Sequence, residues 1–136
     1  MKIYRGLHRF PSAPCALTIG NFDGVHRRHQ AMMQRLRQEA RQRGLPVGVL
    51  TFEPHPRDYF ARLRQQPDLA PARITTLRDK MDALAALDID YAIILPFRAQ
   101  LAALSAQQFV QQILLDGLHA RYVLVGDDFR FGTQRA

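Results

Sequence analysis

The chain has 136 residues, 47% apolar and 23% charged, a composition that fits one folded domain and excludes a fibre or a disordered tail. Nineteen Lys and Arg against twelve Asp and Glu leave a net charge of +7, and seventeen of the nineteen cations are arginine. The lone Cys15 excludes an internal disulfide framework and a thiolate metal cage, and no apolar run approaches the roughly 20 residues of a membrane helix.

Such a charge balance attracts polyanions: nucleic acid, anionic lipid or a phosphorylated small molecule. The arginines are scattered, and their densest group, Arg35, Arg37, Arg41 and Arg43, runs around a helix rather than marking a groove-reading module. Nucleic-acid binding is therefore disfavoured. The segment Met1 to Gly6 has no apolar h-region, so no secretory signal is read and a cytoplasmic protein is expected.

In chain order, Cys15–Ile19 is a short apolar run stopped by Gly20 and predicts a buried strand. From His29 to Arg43 the chain lacks Gly and Pro, and Met32, Met33 and Leu36 form an apolar stripe that Gly44 ends. Val47–Phe52 is the second predicted strand. After a loop between Gln65 and Arg73, Thr75 or Thr76 caps a helix carrying Leu77, Met81, Leu84 and Leu87. Asp88 and Asp90 read as turn residues with no functional role. Tyr91–Leu95 is the third strand; Ser105 caps a helix with Phe109, Ile113 and Leu114 that ends near Gly117; Tyr122–Val125 is the fourth strand. Short apolar strands alternating with helices predict a parallel sheet covered by helices on both faces, an α/β protein. Ligands then bind beyond the carboxyl ends of the strands, in the loops after Ile19, Phe52, Leu95 and Val125.

The first loop, Gly20-Asn21-Phe22-Asp23-Gly24-Val25-His26-Arg27-Arg28-His29, joins a strand to a helix, where free N–H groups and the helix dipole favour an anion. His26 and His29, three residues apart, can face one site. Phosphate fits this loop; zinc does not, since two histidines without a third ligand make a poor site. Histidines making only local hydrogen bonds at a helix start are an equal alternative. Neither a GxGxxG fingerprint nor a Walker loop is present. The second loop, Phe52-Glu53-Pro54-His55-Pro56-Arg57, is stiffened by two prolines and reads either as a rigid wall for a flat substrate or as an ordinary turn. The third, Gly126-Asp127-Asp128-Phe129-Arg130-Phe131-Gly132, sets two carboxylates after a strand. They can hold Mg²⁺ or bond a ribose or base, with Phe129 and Phe131 beside the base, or an Asp can simply cap the turn.

Taken together, Leu17-Thr18-Ile19-Gly20-Asn21-Phe22-Asp23-Gly24-Val25-His26, His29-Gln30, Phe52-Glu53-Pro54 through Pro56, and Val125 to Gly132 resemble the adenylyltransferase domain of bacterial bifunctional riboflavin kinase/FMN adenylyltransferases, the FAD synthetases. The resemblance covers nearly the whole chain. It implies a Rossmann-like nucleotidylyltransferase fold and, with Mg²⁺, transfer of AMP from ATP to FMN to give FAD and pyrophosphate. By this likeness His26, His29 and Asp128 are catalytic, with Asp128 also near the metal. ATP would lie on Gly20, Asn21, Phe22, Asp23, Gly24, His26 and His29, and the flavin on Phe52, Pro54, Pro56, Asp128 and Phe129. ATP and FMN are the implied partners, with no membrane.

Two departures stand out. Arg28 occupies the position that is glycine in the family's His-x-Gly-His pattern, where a guanidinium side chain would crowd the nucleotide. The family's later Ser/Thr…Arg segment and its riboflavin kinase domain are not found in residues 1–136, so the sequence reads as an incomplete adenylyltransferase domain. The competing readings are a sibling nucleotidyltransferase acting on another phosphorylated substrate, and a catalytically impaired binder of flavin or nucleotide.

Overall fold

The computed structural model describes residues 1–7, 10, 13–22, 27–53, 60, 63 and 77–126, with Arg28 described in its backbone only. Cys15–Ile19 (β2), Val47–Phe52 (β3) and Tyr91–Leu95 (β4) are buried along their whole length, as uniform apolar runs require when both faces of a sheet are covered. Lys2–Arg5 (β1) and Ala120–Val125 (β5) flank them, giving a five-stranded sheet in the order β1-β4-β3-β2-β5. Every ladder is parallel.

Successive side chains of β2 feed two separate cores. Cys15, Leu17 and Ile19 pack with Phe52, Phe97, Phe109 and Leu118 on one face, while Ala16 packs with Met33, Leu36, Val49 and Leu84 on the other. Arg27–Arg43 (α1) and Leu77–Ala85 (α2) cover the second face. Ala99–Ala102 (α3), Ala106–Phe109 (α4) and a π-helical segment Val110–Gly117 cover the first. The expected layering, helices on both faces of a parallel sheet, is what the chain adopts.

α1 ends as its sequence predicts. Gly44 takes a left-handed φ of 65° and the Leu45 N–H reaches back to the Ala40 carbonyl at 2.9 Å, the Schellman pattern. Its arginines are partly spent within the fold: Arg37 donates to the Leu87 carbonyl, and Arg43 pairs with Glu39 while its guanidinium lies 4.4 Å from the Tyr122 ring centre. α4 opens on a full capping box between Ser105 and Gln108.

The structure adds four points to the sequence reading. The segment before Gly6 is a strand, β1, paired along Lys2–Arg5 with Tyr91–Ile94; its charged ends hide a strand that sits at the sheet edge and is half in water. α1 starts at Arg27, two residues before the predicted His29. The helix predicted from Ser105 to Gly117 spans those residues but widens into π geometry, whose i→i+5 bonding brings Phe109, Leu114 and Leu118 to the buried side. Asp90 is more than a turn residue: its Oδ2 accepts from the Val47 N–H at 2.7 Å and its own N–H donates to the Val47 carbonyl at 2.9 Å, clamping the starts of β3 and β4. The predicted Gln65–Arg73 loop and the Thr75 or Thr76 cap lie outside the described residues.

Candidate active site

The chain runs outward from β2 to β3 to β4 in one direction, then returns past both to place β5 on the other side of β2. The sheet therefore reverses its order between β2 and β5. Loops leaving the carboxyl ends of two such strands part to opposite faces and leave a crevice between them. Gly20 at the end of β2 and Gly126 at the end of β5 stand at this reversal, where Ile19 pairs with Val125.

Gly20 is anchored by its N–H to the Leu50 carbonyl at 3.1 Å. A Cβ there would stand 3.1 Å from Phe22 Cε2, so the absent side chain makes room for the Phe22 ring. Phe22 has φ 51°, a left-handed conformation that costs a bulky residue about 1–2 kcal/mol and persists only when its surroundings enforce it. The ring is 2% exposed and meets the His29 imidazole at a centroid distance of 5.0 Å and a tilt of 58°. Phe22 thus supports a histidine in the first turn of α1 from beneath. The Asn21 Oδ1 is buried and accepts no hydrogen bond among the described residues, an acceptor suited to a ligand N–H or O–H.

Two residues of this loop's support were not singled out in the sequence. Lys80 of α2 is 3% exposed and donates to the Asn21 carbonyl at 2.7 Å and to Thr51 Oγ1 at 3.1 Å. Thr51, near the end of β3, donates in turn to the same carbonyl at 3.3 Å. A signal existed: Lys80 falls between Leu77 and Leu84 in the apolar stripe of α2, where a charge has to be hydrogen-bonded to be tolerated.

Of the predicted site residues, the structure gathers Gly20, Asn21, Phe22 and His29 at one end of β2. Phe52 is 1% exposed and belongs to an aromatic cluster with Phe97 at 5.7 Å and Phe109 at 6.4 Å, and Phe60 meets Phe97 at 5.8 Å. Its ring packs within the core among the described residues. Asp23, Gly24, His26, Pro54, Pro56, Asp128 and Phe129 lie outside the described residues. Arg28 lies in the first turn of α1. Among the described residues, no three His, Cys, Asp or Glu side chains converge as a metal cluster, and no helix is long and apolar enough to cross a membrane. A separate cavity of about 310 Å³ opens on the β1–β4 side, lined in part by Leu7, Pro96, Arg98 and Leu104.

Neither Cys15 nor Tyr91 suits nucleophilic work. Burial pushes the Cys15 thiol above its ordinary range, and its Sγ faces the Leu118 carbonyl at 3.3 Å. Burial first, then the neighbouring Cys15, raises the Tyr91 hydroxyl well above its usual value.

A five-stranded parallel sheet with helices on both faces and an order reversal between β2 and β5 defines a Rossmann-like, nucleotidyltransferase-like α/β fold. Among solved structures, one described as a macrolide-efflux protein from Streptococcus pneumoniae shares it with a TM-score of 0.81, at 24% identity over 99% of this chain and 44% of that one; the likeness is one of fold. Residues 10–136 match the FAD synthetase family, and the chain belongs to that family. The bifunctional riboflavin kinase/FMN adenylyltransferase of Escherichia coli K12 is 49% identical over 138 residues, covering 99% of this chain and 42% of that protein. The proteins of the same name from Pseudomonas fluorescens and Haemophilus influenzae are 45% and 43% identical, again over 99% of this chain. The chain spans about two-fifths of the length of these curated relatives.

Proposed function

We propose that this chain carries the FMN adenylyltransferase step of FAD biosynthesis, joining FMN to the AMP part of ATP with release of pyrophosphate. The observation that carries the reading is the loop from Gly20 to His29 at the order reversal of the sheet, in a chain whose family match covers residues 10–136. An FMN phosphate oxygen attacks the α-phosphorus of ATP; a P–O bond forms, the α–β bridging P–O bond breaks, and its electron pair leaves with pyrophosphate. The attacking phosphate is already an anion at neutral pH, so the protein's work is alignment and dispersal of charge rather than deprotonation.

His29, held by Phe22 at the start of α1, donates to phosphate oxygens together with His26 and the first-turn N–H groups. Pro54, Pro56 and Phe129 border the flavin, and Asp23 and Gly24 complete the nucleotide loop. Asp128 is the carboxylate that would hold Mg²⁺, and the ion would supply neutralisation of phosphate charge. The riboflavin kinase activity named for the relatives belongs, in this reading, to the part of those proteins that the chain does not span, and the protein works in the cytoplasm.

The test is FAD formation from FMN and Mg-ATP, resolved by chromatography, with Arg28→Gly run alongside. FAD and pyrophosphate in equal amounts support the reading. FAD from the glycine version alone identifies Arg28 as a steric block. Flavin or nucleotide retained without product from either version refutes the transfer and leaves a binding protein.

A further inference from the structure

Lys80 is one of only two lysines in the chain, and it is the buried one. Removing an ammonium from water is costly unless hydrogen bonds replace the lost hydration. Here the bonds converge on the Asn21 carbonyl, which accepts from Lys80 Nζ at 2.7 Å and from Thr51 Oγ1 at 3.3 Å, while Nζ also donates to Thr51 Oγ1 at 3.1 Å. The peptide unit that carries this carbonyl continues into the N–H of Phe22. Holding its oxygen therefore sets the rotation on both sides of it, including the Phe22 φ of 51°. That left-handed turn is what seats the Phe22 ring beneath the His29 imidazole at 5.0 Å.

We propose that Lys80 is a positioning residue for His29: it pins the Asn21–Phe22 peptide in its strained orientation, and Phe22 transmits that orientation to the imidazole. The proposal rests on the adenylyl-transfer reading and adds to that site a residue from a helix outside its loops. A methionine at position 80 fills the same volume but leaves the carbonyl with Thr51 alone. The peptide then relaxes by rotating toward negative φ at Phe22, and the ring leaves the imidazole. Arginine retains both the charge and the donors.

The test uses the full chain with labelled histidine, His29 being assigned by its loss in His29→Gln. The ring current of Phe22 displaces the His29 ring resonances in the native protein. Lys80→Met is expected to abolish this displacement and to lower kcat at least ten-fold, with the KM for FMN changed less than two-fold. Lys80→Arg is expected to hold the displacement and to stay within about three-fold in kcat. Thr51→Val, which covers the case that Lys80→Met does not fold, is expected to move the His29 resonances in the same direction by a smaller amount. Unchanged His29 resonances in whichever of Lys80→Met and Thr51→Val fold overturn the proposal. A native protein that makes no FAD, with His29 still responding to these substitutions, refutes the adenylyl-transfer reading and leaves the positioning role in place.

Discussion

Gly48 lies in β3 between Leu17 of β2 and Tyr91 of β4. A methyl built on its Cα would stand 2.4 Å from Tyr91 Cε2, 2.7 Å from Tyr91 Cδ2 and 2.9 Å from Leu17 Cδ2. Carbon atoms pack best at about 3.5–4.0 Å, so Gly48→Ala obliges the Tyr91 ring to retreat by about 1 Å. The ring has little freedom to do so, because Phe10 and Tyr4 meet it edge-on at 5.0 Å and 6.1 Å. Overpacking of this kind costs about 1–3 kcal/mol, and each disturbed aromatic contact adds up to about 1 kcal/mol. Alanine recovers about 0.5–1 kcal/mol through reduced chain entropy in a strand. The balance is a net loss of about 2 kcal/mol, or about 7 °C in Tm for a domain of this size. Thermal unfolding followed by circular dichroism measures it directly. In a Tyr91→Leu background the same substitution is expected to cost less than about 1 kcal/mol, since the colliding ring is gone. A Tm that is unchanged or raised in Gly48→Ala, or an equal penalty in both backgrounds, refutes the reasoning.

The buried Cys15 and Tyr91 make stability fall at alkaline pH: the unfolded chain ionises near the ordinary values of 9.0 and 10.0 while the folded chain retains both protons, so above pH about 9 the unfolded state binds fewer protons and gains. Urea unfolding is expected to show no contribution from the pair below pH about 8 and a decline above pH about 9 approaching 1.4 kcal/mol per unit for each group; an identical decline in the Cys15→Ala, Tyr91→Phe double variant refutes the assignment. Asp90→Ala removes the charged acceptor of the Val47 N–H and is expected to cost about 1.5–3 kcal/mol, read from the urea midpoint, whereas a loss under about 0.5 kcal/mol would show the clamp to be idle. His29→Ala is expected to lower kcat for FAD formation about 10²-fold with little change in the KM for ATP. A raised KM at unchanged kcat would assign the imidazole to ground-state binding instead.

The parts of this fold that are legible in the sequence are those whose physics is uniform along a segment. β2, β3 and β4 stand where they are predicted because strands buried on both faces consist of unbroken apolar runs, and nothing competes with that signal. β1 escapes the same test: it pairs on one side only, and Lys2 and Arg5 at its ends match its exposure. The site divides in the same way. Histidines three apart at a strand-to-helix junction carry the expectation of an anion site through local chemistry; the structure brings Gly20, Asn21 and His29 together at that junction, while His26 lies outside the described residues. Lys80 and Thr51 act on the loop from 59 and 30 residues away along the chain, and no local pattern encodes such a meeting. Gly20 illustrates a subtler gap. Its lack of a side chain is legible as a need for space, but the occupant of that space, the Phe22 ring, is known only once the backbone turns at Phe22.

The sheet order has a kinetic consequence. β2 meets β3 after a short excursion, Ala16 pairing with Val47, whereas β1 must wait for β4, with Lys2 opposite Tyr91, and β2 completes its second ladder only when Cys15 finds Ala120. Closing larger loops costs more entropy and slows folding, so the β2–β5 ladder is the natural last step of assembly. The place between Gly20 and Gly126 where the sheet reverses its order forms only after that ladder has zipped. A ligand that occupies it therefore acts on the final docking of β5: it slows the escape of that strand and leaves the earlier β2–β3 nucleus untouched. Hydrogen exchange in Ala120–Val125 should then respond to ligand more strongly than exchange in Val47–Phe52, and the edge of the sheet becomes the place where occupancy of the site is recorded as lifetime.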